Sequence, residues 1–232
     1  MDFIHQILFG VYPYIAFTTF VIGNLIRFDR DQYTWKADSS QLFDRRTVLI
    51  ASPMFHVGII AVLGGHFVGL LTPHSWFLAI GVSDTAHQIV AITAGMVFGT
   101  LCLIGGCMLL LRRLKHPQVR AQSRKRDVFV LAWLMLTLCL GLLTIPISTY
   151  HAFHSDASTM IMLTDWVQSL VILQPNWEIL KEVNFVFKLH LFCGLTVFLV
   201  FPFTRLVHVW SFPVGYLFRP HQVVRSRFTK SR

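Results

Sequence analysis

Five long apolar runs alternate with short polar segments along the chain. Each run contains more than the roughly 20 residues of helix needed to cross the hydrocarbon core of a bilayer. The runs cover approximately residues 3–26, 48–71, 89–111, 128–149 and 185–212, here called spans 1 to 5. The pattern predicts an all-α membrane protein with five transmembrane helices in one bundle, forming a single domain over residues 1–232.

The amino-acid composition supports a membrane environment. Of the 232 residues, 54% are hydrophobic and only 13% are charged, and the mean hydropathy is +0.60. A water-soluble domain typically carries about 25% charged residues. The chain opens with MDFIHQ, which lacks the basic segment of a signal peptide, so span 1 is predicted to be retained as a helix.

The Lys and Arg residues fall on one side of the predicted bundle. They are concentrated after span 1, in RRLKHPQVRAQSRKR after span 3, and after span 5, whereas none occurs between Gly69 and Gln88. Basic residues in short loops mark the cytoplasmic side. We therefore predict a multi-pass inner-membrane protein with its N-terminus outside (periplasmic) and its C-terminus in the cytoplasm. The net charge of +9 then reflects topology and contact with anionic membrane lipids, and nucleic-acid binding is not expected.

Four of the eleven histidines lie deep within predicted spans: His56 and His66 in span 2, and His190 and His208 in span 5. Polar side chains at such depth are costly without a partner and commonly mark function. A single buried histidine is more often explained by a hydrogen bond between helices, but two on each of two helices favour ligand roles. The four cysteines form no CxxC or CxxCH pattern, which excludes covalent attachment of a c-type haem.

The spacing of these histidines indicates two separate sites. At 1.5 Å per residue, His56 and His66 are about 15 Å apart, and His190 and His208 about 27 Å apart along one face of a continuous helix. Because spans 2 and 5 are predicted to be antiparallel, His66 should pair with His190 towards the outside, and His56 with His208 towards the inside. Two bis-histidine sites stacked across a bilayer are what two non-covalently bound b-type haems require.

Small and basic residues near the histidines fit the same interpretation. Glycines occur close to them, at positions 58, 64, 65 and 194. They would let a planar macrocycle approach the helices, although glycine is equally common in ordinary packing of membrane helices. Arg205, one turn before His208, is a candidate partner for a haem propionate, and its alternative role is a snorkelling anchor at the interface.

Several longer segments resemble the gamma subunit of respiratory nitrate reductase. They are the loop RFDRDQYTWKADSSQLFDRR and the segments FHVGII, GHFVGLLTPH, LGLLTIPIS and FKLHLFCGLTVFLVFPFTRLVHVWSFPVGYLFRPHQVVR. The resemblance runs from about Tyr12 to Arg227. It implies a membrane-anchoring cytochrome b in which the outer histidine pair holds a distal haem and the inner pair holds a proximal haem.

The resemblance also implies a path for electrons. Quinol, either menaquinol or ubiquinol, is expected to be oxidised on the outer side near the distal haem. Electrons would then cross to the proximal haem, enter an iron–sulfur beta subunit, and reach a molybdenum cofactor in the alpha subunit, where nitrate is reduced to nitrite. Nitrate chemistry is therefore not expected on this chain.

The quinol site is expected beside His66, with Gly65 and Gly69 giving access. The family's pattern places a lysine at the head of span 3, where this chain has Ala86 followed by His87. We therefore expect His87 to anchor the quinol and accept a proton. The alternative is an interfacial histidine without a specific role.

Three polar or amphipathic segments flank the spans. The cytoplasmic loop 27–47, which mixes acidic, basic and aromatic residues, and the tail 213–232 are predicted to dock the beta subunit. The stretch TMIMLTDWVQSLVIL has apolar residues near helical spacing, and it is predicted to be a short amphipathic helix lying on the outer interface.

Two other functions stay open on the sequence alone. A homologous quinone-linked haem subunit of another complex, such as a nitrite oxidoreductase or a sulfur-metabolism complex, would share the fold and the haems. A transporter or channel would require polar residues along a path, or repeated halves with broken helices, and neither pattern is evident.

Overall fold

The computed structural model describes residues 2–31, 44–154 and 156–211, and all secondary structure within them is helical. Five helices in this part of the chain are long and apolar enough to cross a membrane, which confirms the five predicted spans. Their bounds are Asp2–Arg30, Arg45–Leu71, Asp84–Lys115, Lys125–Phe153 and Phe185–Phe203. Shorter helical segments join or follow them: His74–Ala79, Pro117–Gln122, Ser158–Val171, Trp177–Lys181 and Arg205–Ser211.

Polar side chains define where several spans begin. The carboxylate of Asp44 accepts a hydrogen bond from the backbone N–H of Thr47, and the hydroxyl of Ser83 accepts one from Ala86. Asn184 caps span 5 in the same way. Such caps satisfy amide groups that the first helical turn leaves without partners, so spans 2 and 3 begin a few residues before their apolar runs.

Span 1 contains a π-helical segment, Ile7–Val11, between two α-helical parts. Pro13 has no N–H to donate to the carbonyl oxygen of Phe9, four residues earlier, so an α-helical bond is missing there. The indole N–H of Trp166 donates to this carbonyl instead, at 3.0 Å. The indole of Trp166 therefore supplies the hydrogen-bond donor that Pro13 cannot provide to the carbonyl oxygen of Phe9.

The spans pack in the spatial order 2, 3, 4, 5, 1, and any direct packing between spans 2 and 5 is slight. Spans 2 and 3 approach most closely because glycines lie at their interface. A Cβ atom added at Gly58 would lie 2.7 Å from the backbone nitrogen of Cys102, and one at Gly105 would lie 2.6 Å from that of Phe55. Spans 2 and 5 thus face each other across the open side of the bundle.

The sequence expectation for span 5 was wrong in one respect: the α-helix does not continue through His208. It ends at Val200 and is followed by the 3₁₀ turn Phe201–Phe203 and by the second 3₁₀ segment, Arg205–Ser211. Pro202 cannot donate a helical hydrogen bond, and Thr204 between the two segments is extended. The separation of His190 from His208 therefore cannot be calculated from a single helix.

The amphipathic stretch between spans 4 and 5 forms the helix Ser158–Val171, as predicted. It packs against span 2, and the amide of Gln168 donates to the carbonyl of Thr72 at 3.1 Å. Trp166 of this helix does not face the surroundings: its side chain is only 2% exposed and lies in an apolar cluster with Phe9 and Leu180. This helix is fastened to the ends of spans 1 and 2 by specific contacts.

Candidate functional site

The four histidines of spans 2 and 5 meet as two pairs. The ring centroids of His66 and His190 are 5.9 Å apart, with an angle of 43° between the ring planes. Those of His56 and His208 are 6.1 Å apart, with an angle of 80°. Each pair joins span 2 to the span 5 region across the open side of the bundle.

All four imidazoles present the same nitrogen to the backbone. In each ring, Nδ1 lies within hydrogen-bonding distance of a carbonyl oxygen, so Nδ1 carries the proton. His56 bonds to the carbonyl of Ser52 at 2.7 Å, and His66 to that of Val62 at 2.8 Å. His190 bonds to the carbonyl of Thr137 at 2.9 Å, and His208 to that of Arg205 at 2.6 Å. Such a bond sets the tautomer and leaves Nε2 as a neutral donor for a metal.

The spacing within each pair would let two neutral imidazoles bind one iron between their rings, which is how two histidines would hold a b-type haem. Metal–nitrogen bonds of about 2 Å are compatible with ring centroids about 6 Å apart. Among the described residues, no group of three or more His, Cys, Asp or Glu side chains is placed to hold a metal ion. The remaining ligands of such an iron would have to come from a macrocycle, so the donor set fits haem.

Glycines near the pairs divide into two kinds. A Cβ atom added at Gly64, Gly65 or Gly194 would meet nothing within 4 Å, so these residues border open space beside His66 and His190. Gly58 instead packs against span 3, so at this position the glycine serves the packing of two helices rather than the approach of a macrocycle. The side chains of His56 and His66 are exposed, consistent with room for a planar ligand between spans 2 and 5.

Span 4 orients His190, although sequence reasoning assigned it no part in the site. The carbonyl of Thr137 accepts the Nδ1 hydrogen bond, and a Cβ atom at Gly141 would lie 2.9 Å from Cε1 of the His190 ring. The indole of Trp133 donates to the carbonyl of Cys193 at 3.1 Å, which fastens span 4 to span 5 beside this histidine. The only sequence signal was the segment LGLLTIPIS, which contains Gly141.

His208 lies at the end of the bundle that carries most of the described basic residues, here called the basic end. The guanidinium of Arg27 donates from Nη1 to the carbonyls of Pro202 at 2.6 Å and Thr204 at 2.8 Å, so it holds together the break in span 5. Arg205 contributes its backbone carbonyl to His208. Its guanidinium is half-buried, and contact with a haem propionate stays a prediction.

A separate recess lies at the opposite end of the bundle. It is a shallow space partly open to the surroundings, and it brings together Gly69 of span 2 and His87 of span 3. A Cβ atom at Gly69 would lie 3.5 Å from Nε2 of His87, so this glycine makes room for the imidazole. Gly65 and His66, the other two candidates for the quinol site, do not line the recess.

The walls of the recess combine aromatic, apolar and polar side chains. The ring of Phe77 stacks on His87 with centroids 4.1 Å apart and planes at 28°. The helix Ser158–Val171 closes one side with apolar and polar residues. The other lining residues are Thr72, His74, Met160, Ile161, Thr164 and Asp165.

Comparison with known proteins shows the family to which the chain belongs. The model of the family described as nitrate reductase gamma subunit matches residues 5–227. The respiratory nitrate reductase 1 gamma chain of Escherichia coli (strain K12) is 47% identical over 228 residues, covering 98% of this chain and 100% of the relative. The chain belongs to the nitrate reductase gamma-subunit family. The resemblance inferred from the sequence segments is thereby confirmed.

Two further relatives show how far the gamma-subunit likeness extends. The respiratory nitrate reductase 2 gamma chain of Escherichia coli (strain K12) is 45% identical, covering 98% of this chain and 99% of the relative. The nitrate reductase gamma chain of Bacillus subtilis (strain 168) is 33% identical, covering 96% and 98%. A gamma subunit of nitrate reductase is one chain of a multisubunit oxidoreductase, so partner subunits are implied. The residues of both histidine pairs and of the recess lie within the range 5–227 that the family model matches.

Sequence reasoning missed several residues of this gamma subunit's recess. The sequence pattern gives His74 no role, yet it lines the recess and its Nδ1 lies 2.8 Å from Oδ1 of Asp84. Phe77 was also overlooked. The segment GHFVGLLTPH did contain His74, but the contact with Asp84 depends on how the chain turns between spans 2 and 3.

Proposed function

We propose that this chain is the dihaem cytochrome b subunit of a respiratory nitrate reductase. His66 and His190 would be the axial ligands of the distal haem, and His56 and His208 those of the proximal haem. The observation that carries the proposal is the shared geometry of the two pairs, in which every Nδ1 is held by a carbonyl and the centroids are about 6 Å apart. Such haems would supply one-electron carriers at two depths of the membrane.

The proposed orientation places the basic end in the cytoplasm. It rests on the concentration of Lys and Arg in the segments that meet at this end. The pair His56–His208 then lies towards the cytoplasm, and the pair His66–His190 towards the outside. Moving one electron inward corresponds to about 2.3 kcal/mol per 100 mV of membrane potential, so oxidation at the outer end contributes to charge separation.

The recess at the opposite end is the proposed quinol site. Phe77 stacks on the His87 imidazole, and the neighbouring apolar side chains suit a quinol ring. His87 would hydrogen-bond a quinol hydroxyl and accept its proton, in place of the lysine that the family pattern carries near this position. The absence of a side chain at Gly69 keeps the His87 ring accessible.

The proposed partners dock at the basic end. Electrons would pass to an iron–sulfur beta subunit and then to a molybdenum-containing alpha subunit, where nitrate is reduced. Most residues predicted to form the docking surface lie outside the described part of the chain. Only residues 27–31 and 44–47 of the loop are described, and the described part ends at Ser211, before the tail 213–232. Support for this step is membership in a family of multisubunit nitrate reductases.

A visible difference spectrum, reduced minus oxidised, of the purified complex tests the haem assignment. We expect two b-type components for each gamma chain. His66→Ala or His190→Ala should remove one component, and His56→Ala or His208→Ala should remove the other. His154→Ala, which changes an exposed histidine outside both pairs, is the control. The assignment fails if the two variants of one pair remove different components.

Quinol oxidation in a His87→Ala variant tests the site at the recess. We expect quinol-dependent nitrate reduction to fall while both haem components persist, because His87 belongs to neither pair. Nitrate reduction with a reduced viologen dye, which releases no proton when oxidised, should be unchanged. Quinol turnover equal to that of the unmodified complex would place the quinol elsewhere.

A further inference from the structure

A second histidine on the recess is held by a carboxylate. His74 begins the short helix that follows span 2, and Asp84 is the first residue of span 3. The Nδ1–H of His74 donates to Oδ1 of Asp84 at 2.8 Å. His74 lines the same recess as His87, so two imidazoles border one space.

The local sequence explains why this pair forms. Pro73 lies at the N-cap of the short helix, and His74 is the first residue of that helix. Ser83 caps span 3, so Asp84 lies in the first turn of span 3. The Asp84 carboxylate accepts the hydrogen bond of His74 Nδ1 and so favours the Nδ1–H tautomer, which leaves Nε2 as the proton acceptor.

Oxidation of a quinol to a quinone releases two electrons and two protons. His87 can accept one proton directly, but a single neutral imidazole cannot hold both. We propose that His74, supported by Asp84, accepts the second proton at Nε2 and passes it to the outer aqueous phase. This inference rests on the proposed quinol site. Both O–H bonds of the quinol would then be broken towards histidines, and its two electrons would pass, one at a time, to the one-electron carrier that the His66–His190 pair would hold.

The surroundings of His74 suit this role. Its side chain is 37% exposed and that of Asp84 is 29% exposed, so a proton can be released to water. Asp165, on the helix Ser158–Val171, lines the recess itself, whereas Asp84 is linked to the recess through its bond to His74. Asp84 is distinguished from Asp165 by its direct bond to a histidine, which stabilises the positive imidazolium formed when His74 is protonated.

The test compares His74→Ala, Asp84→Asn, Asp165→Asn and His87→Ala in the intact complex. Quinol-dependent nitrate reduction is measured beside the viologen-dependent reaction, which needs no proton acceptor, and beside the b-type spectrum. Asp84→Asn retains an oxygen that can accept the His74 hydrogen bond but removes the negative charge. His154→Ala is the matched control, because this exposed histidine does not line the recess.

We expect His74→Ala and Asp84→Asn each to lower quinol-dependent turnover by about tenfold to hundredfold. The viologen reaction and the haem spectrum should be unchanged, and added imidazole should restore turnover in His74→Ala. The inference is overturned if Asp84→Asn is as active as the unmodified complex, because a purely structural hydrogen bond would survive that substitution. Failure of imidazole to restore His74→Ala, or loss of turnover in Asp165→Asn with His74→Ala unaffected, would also overturn it.

The behaviour of His87→Ala separates this inference from the proposal beneath it. If His87→Ala loses quinol turnover and His74→Ala does not, the quinol site stands and the role of His74 is wrong. If neither substitution lowers quinol turnover, the recess is not the quinol site and both statements fall.

Discussion

Nδ1 of His190 on span 5 donates a hydrogen bond to the carbonyl oxygen of Thr137 on span 4, at 2.9 Å. The two histidines of span 2 bond instead to carbonyls of their own helix, four residues earlier. The orientation of His190 therefore depends on how spans 4 and 5 pack, whereas that of His56 and His66 is set within span 2. Substitutions in span 4 should consequently affect the outer pair selectively.

Gly141→Ala should disturb the outer histidine pair. Its Cβ atom would lie 2.9 Å from Cε1 of His190, closer than two such carbons normally approach, so the imidazole must turn or shift. We expect the component of the b-type spectrum assigned to His66 and His190 to be lost or displaced, while the other component is retained.

The matched control for this prediction is Gly95→Ala in span 3. There an added Cβ atom would make only an ordinary contact with Ile145, at 3.8 Å. Equal effects of the two substitutions on the spectrum would show that the contact with His190 is unimportant.

Arg27→Gln should weaken the inner pair. Arg27 Nη1 bonds to two carbonyls at the break in span 5, and this break sets the position of the 3₁₀ segment that carries His208. A neutral, shorter side chain cannot span both carbonyls. We expect the spectral component assigned to His56 and His208 to shift or to be lost on mild heating.

Arg30→Gln changes an exposed arginine one turn further along span 1 and serves as the control. It removes the same charge from the basic end. If it produced the same spectral change, the effect would arise from net charge rather than from the two hydrogen bonds.

Trp166→Phe should destabilise the helix Ser158–Val171 and its contact with span 1. The substitution keeps an aromatic ring next to Phe9 but removes the indole N–H, which leaves the carbonyl of Phe9 unsatisfied. Loss of one partner of a buried hydrogen bond costs about 1–3 kcal/mol. The free energy of unfolding in detergent, followed by circular dichroism, should fall by that order.

Trp76→Phe provides the comparison, because the side chain of Trp76 is 67% exposed. We expect it to leave the unfolding free energy within about 0.5 kcal/mol of the original. A similar loss in both variants would contradict the role assigned to the Trp166–Phe9 hydrogen bond.

Asp44 should make stability depend on acid pH. Hydrogen bonding with Thr47 lowers the pKa of this carboxyl below its usual value, and Arg112 acts in the same direction. Because the folded pKa lies below the unfolded one, the stabilisation is complete above the unfolded pKa and is lost as pH falls through the folded pKa. Asp44→Asn should therefore unfold at a lower temperature than the unmodified chain at pH 6, with the difference shrinking towards about pH 2.5.

Asn is the informative replacement at this position. Asp44 has a left-handed backbone with φ of 53°, which Asn adopts more readily than most residues. The substitution thus removes the charge without adding backbone strain. Asp29→Asn, which removes the same charge at an exposed position near the same end, is the matched control. A constant difference between Asp44→Asn and the unmodified chain from pH 6 to pH 2.5 would contradict the assignment to charge.

Much of the fold could be predicted from the sequence because a membrane imposes simple rules. A helix must be apolar over about 20 residues to span the hydrocarbon core, and this requirement is visible without any tertiary information. The same reasoning led to the four histidines, since an imidazole within such a run needs a partner. The apolar pattern did not reveal the break in span 5. There the α-helix ends at Val200, just before Pro202, inside an apolar stretch that looks continuous in the sequence.

The candidate sites needed the tertiary structure because their parts are distant in the sequence. Nothing in the apolar pattern of span 4 indicates that Thr137 and Gly141 orient a histidine of span 5. Likewise, His74 and Asp84 come together only because the chain between spans 2 and 3 places the first residue of the short helix His74–Ala79 next to the first residue of span 3.

The sequence by itself thus determined five membrane-spanning helices, the side on which the basic residues lie, and the identity of the four histidines, since each depends on local composition. Only the tertiary structure decided how closely the paired imidazoles approach, which nitrogen of each remains available, and which side chains share the recess with His87. These features depend on distances of a few ångströms between residues on different helices, and such distances follow from packing rather than from the local pattern.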